Sequence, residues 1–174
     1  MTFLRNSVLA FFLLFVNLSY AQFLPNNTVL SVQSVQRWME SNRDFAGVIQ
    51  VLDEMHKTEE ESKKFDVLPA VEQDQKITAF LIQKNQLETA NAIAARHGWK
   101  STGEYIRLST KLGNAIAAYF FNEESSHLSD AQKKALRAKT DSAVLNAPPE
   151  DIAFVKANEN LLKNYIQAYS KGRK

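Results

Sequence analysis

Apolar residues recur along this chain at spacings of three and four, the period of a helix that buries one face. Val32, Val35, Trp38 and Met39 give the apolar side of a first short helix, Val29 to Ser41. The polar run Ser41-Asn42-Arg43-Asp44 reads as a boundary with a new N-cap. Phe45, Val48, Ile49, Leu52 and Met55 then form the stripe of a second helix, Arg43 to His56. The charged stretch DEMHKTEEESKKFD follows. Glu59 with Lys63 and Glu60 with Lys64 are i,i+4 pairs, and Thr58 with Glu61 spells a capping box. This stretch is expected to be an exposed helical extension or a mobile link. Pro69 suits the first turn of a third helix, with Val71, Ile77, Phe80 and Leu81 on its apolar side. The pattern admits a break near Asn85 and continues through ETANAIAARH to Gly98.

A fresh helix begins near Thr102 and carries the cleanest stripe of the chain. Tyr105, Leu108, Ser109, Leu112, Ile116, Tyr119 and Phe120 share one face, so this is expected to be the central buried helix. Ser129 with Gln132 spells another capping box, for a polar helix running to about Leu145. Pro148-Pro149-Glu150-Asp151 is a break and restart. The last helix carries Ile152, Val155, Leu162, Ile166 and Tyr169. No run alternates long enough to read as a strand, and no repeat of fixed period is visible. The expected fold is all-α, an irregular bundle of about six to seven helices.

The N-terminus follows a different pattern. Val8 to Val16 reads VLAFFLLFV, nine apolar residues in a row behind the single charge of Arg5, and Ser19 and Ala21 form a small-x-small cleavage site. Nine residues of helix span about 14 Å, roughly half a bilayer core, so this is too short for a membrane anchor. The reading is a cleaved signal peptide over residues 1–21, an N-terminal tail over 22–28 and a single helical domain over 29–174. The mature chain would begin at Gln22 and be periplasmic or secreted, with no later membrane span.

Composition narrows the function classes. The chain has 21 Lys and Arg against 19 Asp and Glu, a net charge of +2. That balance argues against a nucleic-acid binder or a strongly cationic membrane-active protein. With no cysteine there are no disulfides, thiolate metal sites or thiol nucleophiles. Only three His residues are present. His56 and Glu60 are four apart and could face one metal, but are better read as a solvated face, and His127 sits in a Ser-rich loop. No metal, haem or other cofactor is expected. Phosphate loops and hydrolase motifs are absent.

The richest stretch is ARHGWKSTGEY, residues 95–105. Gly98 stands where a left-handed residue closes a helix, and Trp99 where an apolar clasp folds back onto it. Arg96 and His97 suit the last turn, and Ser101 with Glu104 spells a capping box for the next helix. The stretch is therefore expected to be a joint between helices.

LPNNTVLSVQSVQRWMES, HGWKSTGEYIRLSTKLGNAIAAY and APPEDIAFVKANENLLKNYI together resemble small exported all-helical proteins of Gram-negative bacteria that have no assigned function. The resemblance implies a periplasmic location and an all-helical fold, and brings no catalytic residues with it. Two function classes remain. The first is a non-catalytic periplasmic protein that binds an envelope protein or an unfolded client, using Trp38 and Met39 and the segment Asp53 to Asp66. The second is a small all-helical enzyme of chorismate-mutase type, in which Arg96, Lys100, Glu104, Arg107 and Lys111 clamp a dicarboxylate. Arg107 and Lys111 lie i,i+4 beside the apolar stripe, and inward-pointing cations there would imply an anion site.

Overall fold

The polar run Ser41 to Asp44 lies inside a helix, not between two. In the computed structural model, which describes residues 29–172 apart from 57 and 67 and the side chains of 59, 63 and 168–172, α1 is continuous over Val32–Leu52. Ser41 does not cap forward. Its hydroxyl donates back to the carbonyls of Arg37 and Trp38, at 2.9 and 3.1 Å. A serine that bonds back in this way can stay within a helix. The helix begins at Ser31, whose side chain forms a reciprocal capping box with Ser34.

Eight further helices follow among the described residues: α2 (Glu59–Asp66), α3 (Ala70–Gln83), α4 (Leu87–Arg96), α5 (Thr102–Ser126), α6 (Asp130–Arg137), α7 (Ser142–Leu145), α8 (Pro149–Ala157) and α9 (Glu159–Gly172). No strand occurs among these residues, and the fold is all-helical. None of the described helices is long and apolar enough to cross a membrane. The leader, the Gln22 terminus and the tail before Val29 lie outside the described residues, as does the Glu59–Lys63 pair.

The chain forms two compact units, with the boundary at Ser109 and Thr110 within α5. In the first, α1 packs on α3 and α4, and α3 packs on α4. Val35, Trp38, Phe45, Val48, Ile77, Leu81, Ala90, Trp99, Tyr105 and Leu108 are buried. Trp38, expected on a partner surface, is 1% exposed and belongs to this core, while Met39 is half-buried. Conversely Val32 and Val71, expected on apolar faces, are 46% and 67% exposed. The charged segment is partly folded in. Phe65 and Asp66 are buried, and the Gln73 amide donates to both of their carbonyls at 3.2 Å.

The second unit holds the rest of α5 and helices α6 to α9. Leu112, Ala115, Ile116, Ala117, Ala118, Val155 and Leu162 are buried. Tyr119 and Phe120, at the end of the expected stripe, are half-buried. The capping box of Ser129 and Gln132 forms in both directions. Its helix stops at Arg137, and Asp141 caps the one-turn α7 by accepting from the Ala143 N–H at 2.7 Å. The last expected helix is two. Asn158 interrupts it and turns its side-chain amide back onto the Phe154 carbonyl, at 2.8 Å.

Candidate functional site

Residues 95–105 build the densest polar arrangement of the first unit, and its frame is a backbone motif. Gly98 has φ +70°, the Trp99 N–H donates to the Ala94 carbonyl at 2.9 Å, and the Gly98 N–H donates to that of Ala95 at 3.1 Å. These are the two bonds of a Schellman ending. The same motif closes α3, with Asn85 (φ 55°) in the left-handed position and the Gln86 N–H on the Leu81 carbonyl at 2.8 Å.

Trp99 is 5% exposed, and its described contacts are with α1 and α5. Its indole N–H donates to Ser41 Oγ at 3.1 Å, its ring meets Tyr105 edge-on at 5.6 Å, and the Arg37 guanidinium lies 3.9 Å from its ring centroid. Arg37 also donates to the Gly98 carbonyl at 2.8 Å and pairs with Glu104 at 3.8 Å. Tyr105 stacks on Phe45 at 4.0 Å and donates to Asn42 Oδ1 at 2.9 Å. The expected capping box is offset by one residue. Ser101 Oγ accepts from the Glu104 N–H at 3.0 Å, but the Glu104 carboxylate accepts from the Lys100 N–H, at 2.7 Å.

The charges around the joint are paired. Asp44 accepts from His97 Nε2 at 2.9 Å and from Arg96 at 3.3 Å. The bond from His97 is the main reason the Asp44 carboxyl lies below its ordinary value. His97, expected at an open helix end, has a side chain only 16% exposed. Asp74, from α3, receives Arg107 and the Ser101 hydroxyl, the latter at 2.9 Å. Gly103 makes room for it, since a Cβ there would come within 2.9 Å of Asp74 Cγ.

In the second unit Lys111 pairs with Asp151 at 3.3 Å, and the Asp151 side chain is 5% exposed. Burial pushes the Asp151 carboxyl up, and Lys111 offsets part of that. Tyr119 donates to Glu159 at 2.6 Å, which drives the phenol up to about 12.

Of the five residues of the expected clamp, Arg96, Glu104, Arg107 and Lys111 each have a partner of opposite charge within the chain, and Lys100 is exposed. The partners Arg37, Asp44, Asp74 and Asp151 were not legible as site residues. The one local signal was a serine and an aspartate at Ser41 and Asp44, spaced as one face of α1. His56 packs its ring on Phe65 at 4.8 Å, and Glu60 pairs with Lys64 at 2.8 Å. Burial lowers the His56 imidazole below its ordinary value. Among the described residues no group of three or more His, Asp or Glu is placed to hold a metal ion. No protein-family model, curated protein or solved structure matches the chain.

Proposed function

We propose that the chain is an exported, non-catalytic helical protein that binds a partner protein, either an envelope protein or an unfolded client. The observation that supports this is the outer face of α3. Val71, Gln75, Thr78 and Ile82 follow one another at helical spacing, all are exposed, and none is charged. Val71 is 67% and Ile82 57% exposed, two large apolar side chains about 16 Å apart along one helix. Such a face suits a docked apolar surface. It replaces Trp38 as the proposed contact.

The pairing of charges favours this reading over the clamp. A dicarboxylate site needs cations whose charge is free to meet the ligand. Arg107 is engaged by Asp74 and Lys111 by Asp151. An incoming carboxylate would have to displace each of them.

A photo-crosslinking residue at 71 or 82, in the producing cell, is expected to give adducts, of one discrete mass for an envelope protein and of many masses for unfolded clients. The same residue at exposed Glu88 on α4 should not. With the probe at 82, Val71→Asp should weaken the adduct without altering melting, and with the probe at 71, Ile82→Asp should do the same. Equal smears from all three positions, or no adduct, would overturn the proposal. Export is tested separately by intact mass: protein recovered outside the cytoplasm should begin at or near Gln22, and a mass retaining Met1 to Ala21 would refute it.

A further inference from the structure

The cations of α6, and Lys139 just beyond its end, differ from Arg96, Arg107 and Lys111 in having no counter-charge among the described residues. Lys133, Lys134, Arg137 and Lys139 stand within seven residues. Lys134, Arg137 and Lys139 are exposed, and Lys133 is half-buried. None of the four lies within ion-pair distance of a carboxylate among the described residues. Asp130, in the first turn of the same helix, pairs with none of them. At about 100° per residue, Lys133, Lys134 and Arg137 fall within roughly 100° of the helix circumference. Beside them lie Ala131, Ala135 and Ala138, all exposed. The helix has no fully buried residue.

We propose that α6 is an electrostatic contact for the anionic headgroup plane of a phospholipid bilayer. The chemistry of the face selects this occupant. A protein interface draws its affinity from a few large anchors in pockets, chiefly Trp, Tyr and Arg packed among apolar groups. Within the arc of the cations the helix carries Asp130, and beside it the exposed side chains are alanine methyls, which offer nothing to seat. A headgroup plane asks only for clustered cations that reach it without obstruction, and three basic residues on one short surface helix, with Lys139 two residues beyond its end, meet that need. With no bulky apolar residue to insert, adsorption is peripheral and depends on salt. This contact is independent of the partner-binding reading, which uses α3.

The test is co-sedimentation of the purified protein with vesicles of phosphatidylcholine, with or without about one third phosphatidylglycerol. Binding is expected to the anionic vesicles alone and to vanish near 1 M salt, where the screening length is about 3 Å. Each cation near an anionic surface contributes about fivefold, so Lys133→Gln, Lys134→Gln and Arg137→Gln together should weaken adsorption about 100-fold. Circular dichroism checks that this variant is folded, as expected where no buried residue is touched. Lys64→Gln with Lys76→Gln, exposed cations on α2 and α3, should leave adsorption unchanged. The proposal is overturned by absent vesicle binding, by equal binding to pure phosphatidylcholine, by salt-insensitive binding, or by a folded triple variant that adsorbs like the parent. It is also overturned if the triple substitution removes binding to polyglutamate but not to vesicles, which would make the face a site for acidic protein.

Discussion

The indole N–H of Trp99 donates to the hydroxyl of Ser41 across 3.1 Å, and that hydroxyl donates in turn to the carbonyls of Arg37 and Trp38 in α1. A residue just past the end of α4 is thereby tied to the middle of α1. The indole is enclosed by Arg37 and Tyr105 as well. Trp99→Ala is therefore expected to cost roughly 3 to 5 kcal/mol, as large buried aromatic truncations do. Chemical denaturation measures it, and a cost below about 1 kcal/mol would contradict the packing described.

Three glycines make a graded test, because open space and backbone conformation separate in them. A Cβ at Gly98 would meet nothing within 4 Å, yet the φ of +70° is strained for any L side chain. Gly98→Val should cost more than about 1 kcal/mol. Gly47 is equally open but lies in α1 with ordinary helical backbone, so Gly47→Ala should stabilise by about 0.5 to 1 kcal/mol. Gly103→Ala gains the same helical propensity but pushes the Asp74 carboxylate off Ser101 and Arg107. It should destabilise, and pairing it with Asp74→Ala should abolish most of that penalty.

Two carboxyls give opposite pH dependences. Asp44 is lowered, chiefly by its bond to His97, so its contribution is present above the unfolded value near 3.8 and is lost as pH falls through the folded value. Asp151 is raised, chiefly by burial, so its ionised form costs stability at neutral pH, and that cost is relieved as pH falls through its folded value. Asp44→Asn should be less stable than the parent near pH 7 and converge with it in acid, once the pH has fallen through the folded value of Asp44. Asp151→Asn should be at least as stable near pH 7. Urea midpoints across pH settle both signs.

Tyr119 offers a spectroscopic check. Its donation to Glu159 holds the phenol proton to about 12, above an ordinary value of 10.0. The stability it contributes is present below the ordinary value and is lost as pH rises through the folded value. Ultraviolet titration should show one tyrosine ionising late, and Glu159→Gln should return it to the ordinary range. A late tyrosine that survives Glu159→Gln would assign the shift elsewhere.

The elements that were legible in the sequence are those whose causes lie close together in it. Gly98 and Trp99 announce their turn within two residues, because a left-handed glycine and the bonds around it are local. The stripe from Tyr105 to Ile116 is legible for the same reason, and all its members are buried. Ser41 to Asp44 is the opposite case. Its residues favour caps and turns when read alone, and what keeps them helical is bonding to Trp99, Tyr105 and His97, far along the chain. Asp74 carried no signal, since a lone aspartate on a helix says nothing of an arginine more than thirty residues away. Read as the end of a short, separate helix, Trp38 falls on an open face. Once α1 is continuous, Trp38 and Phe45 fall on one buried side.

The seam along α1 also sets an order of events. Ser41, Arg37 and Asn42 find their partners 58, 61 and 63 residues later, at Trp99, Gly98 and Tyr105. A chain that emerges N-terminus first presents α1 long before those partners exist. At ordinary synthesis rates the wait is on the order of several seconds. Through that interval the face of Phe45 that stacks on Tyr105 stays uncovered or is sheltered by something else. Non-local closure of this kind slows folding and prolongs exposure to aggregation. The seam of α1 thus closes only once residues 98–105 have been made, and a chaperone that serves this protein has its opportunity in that interval.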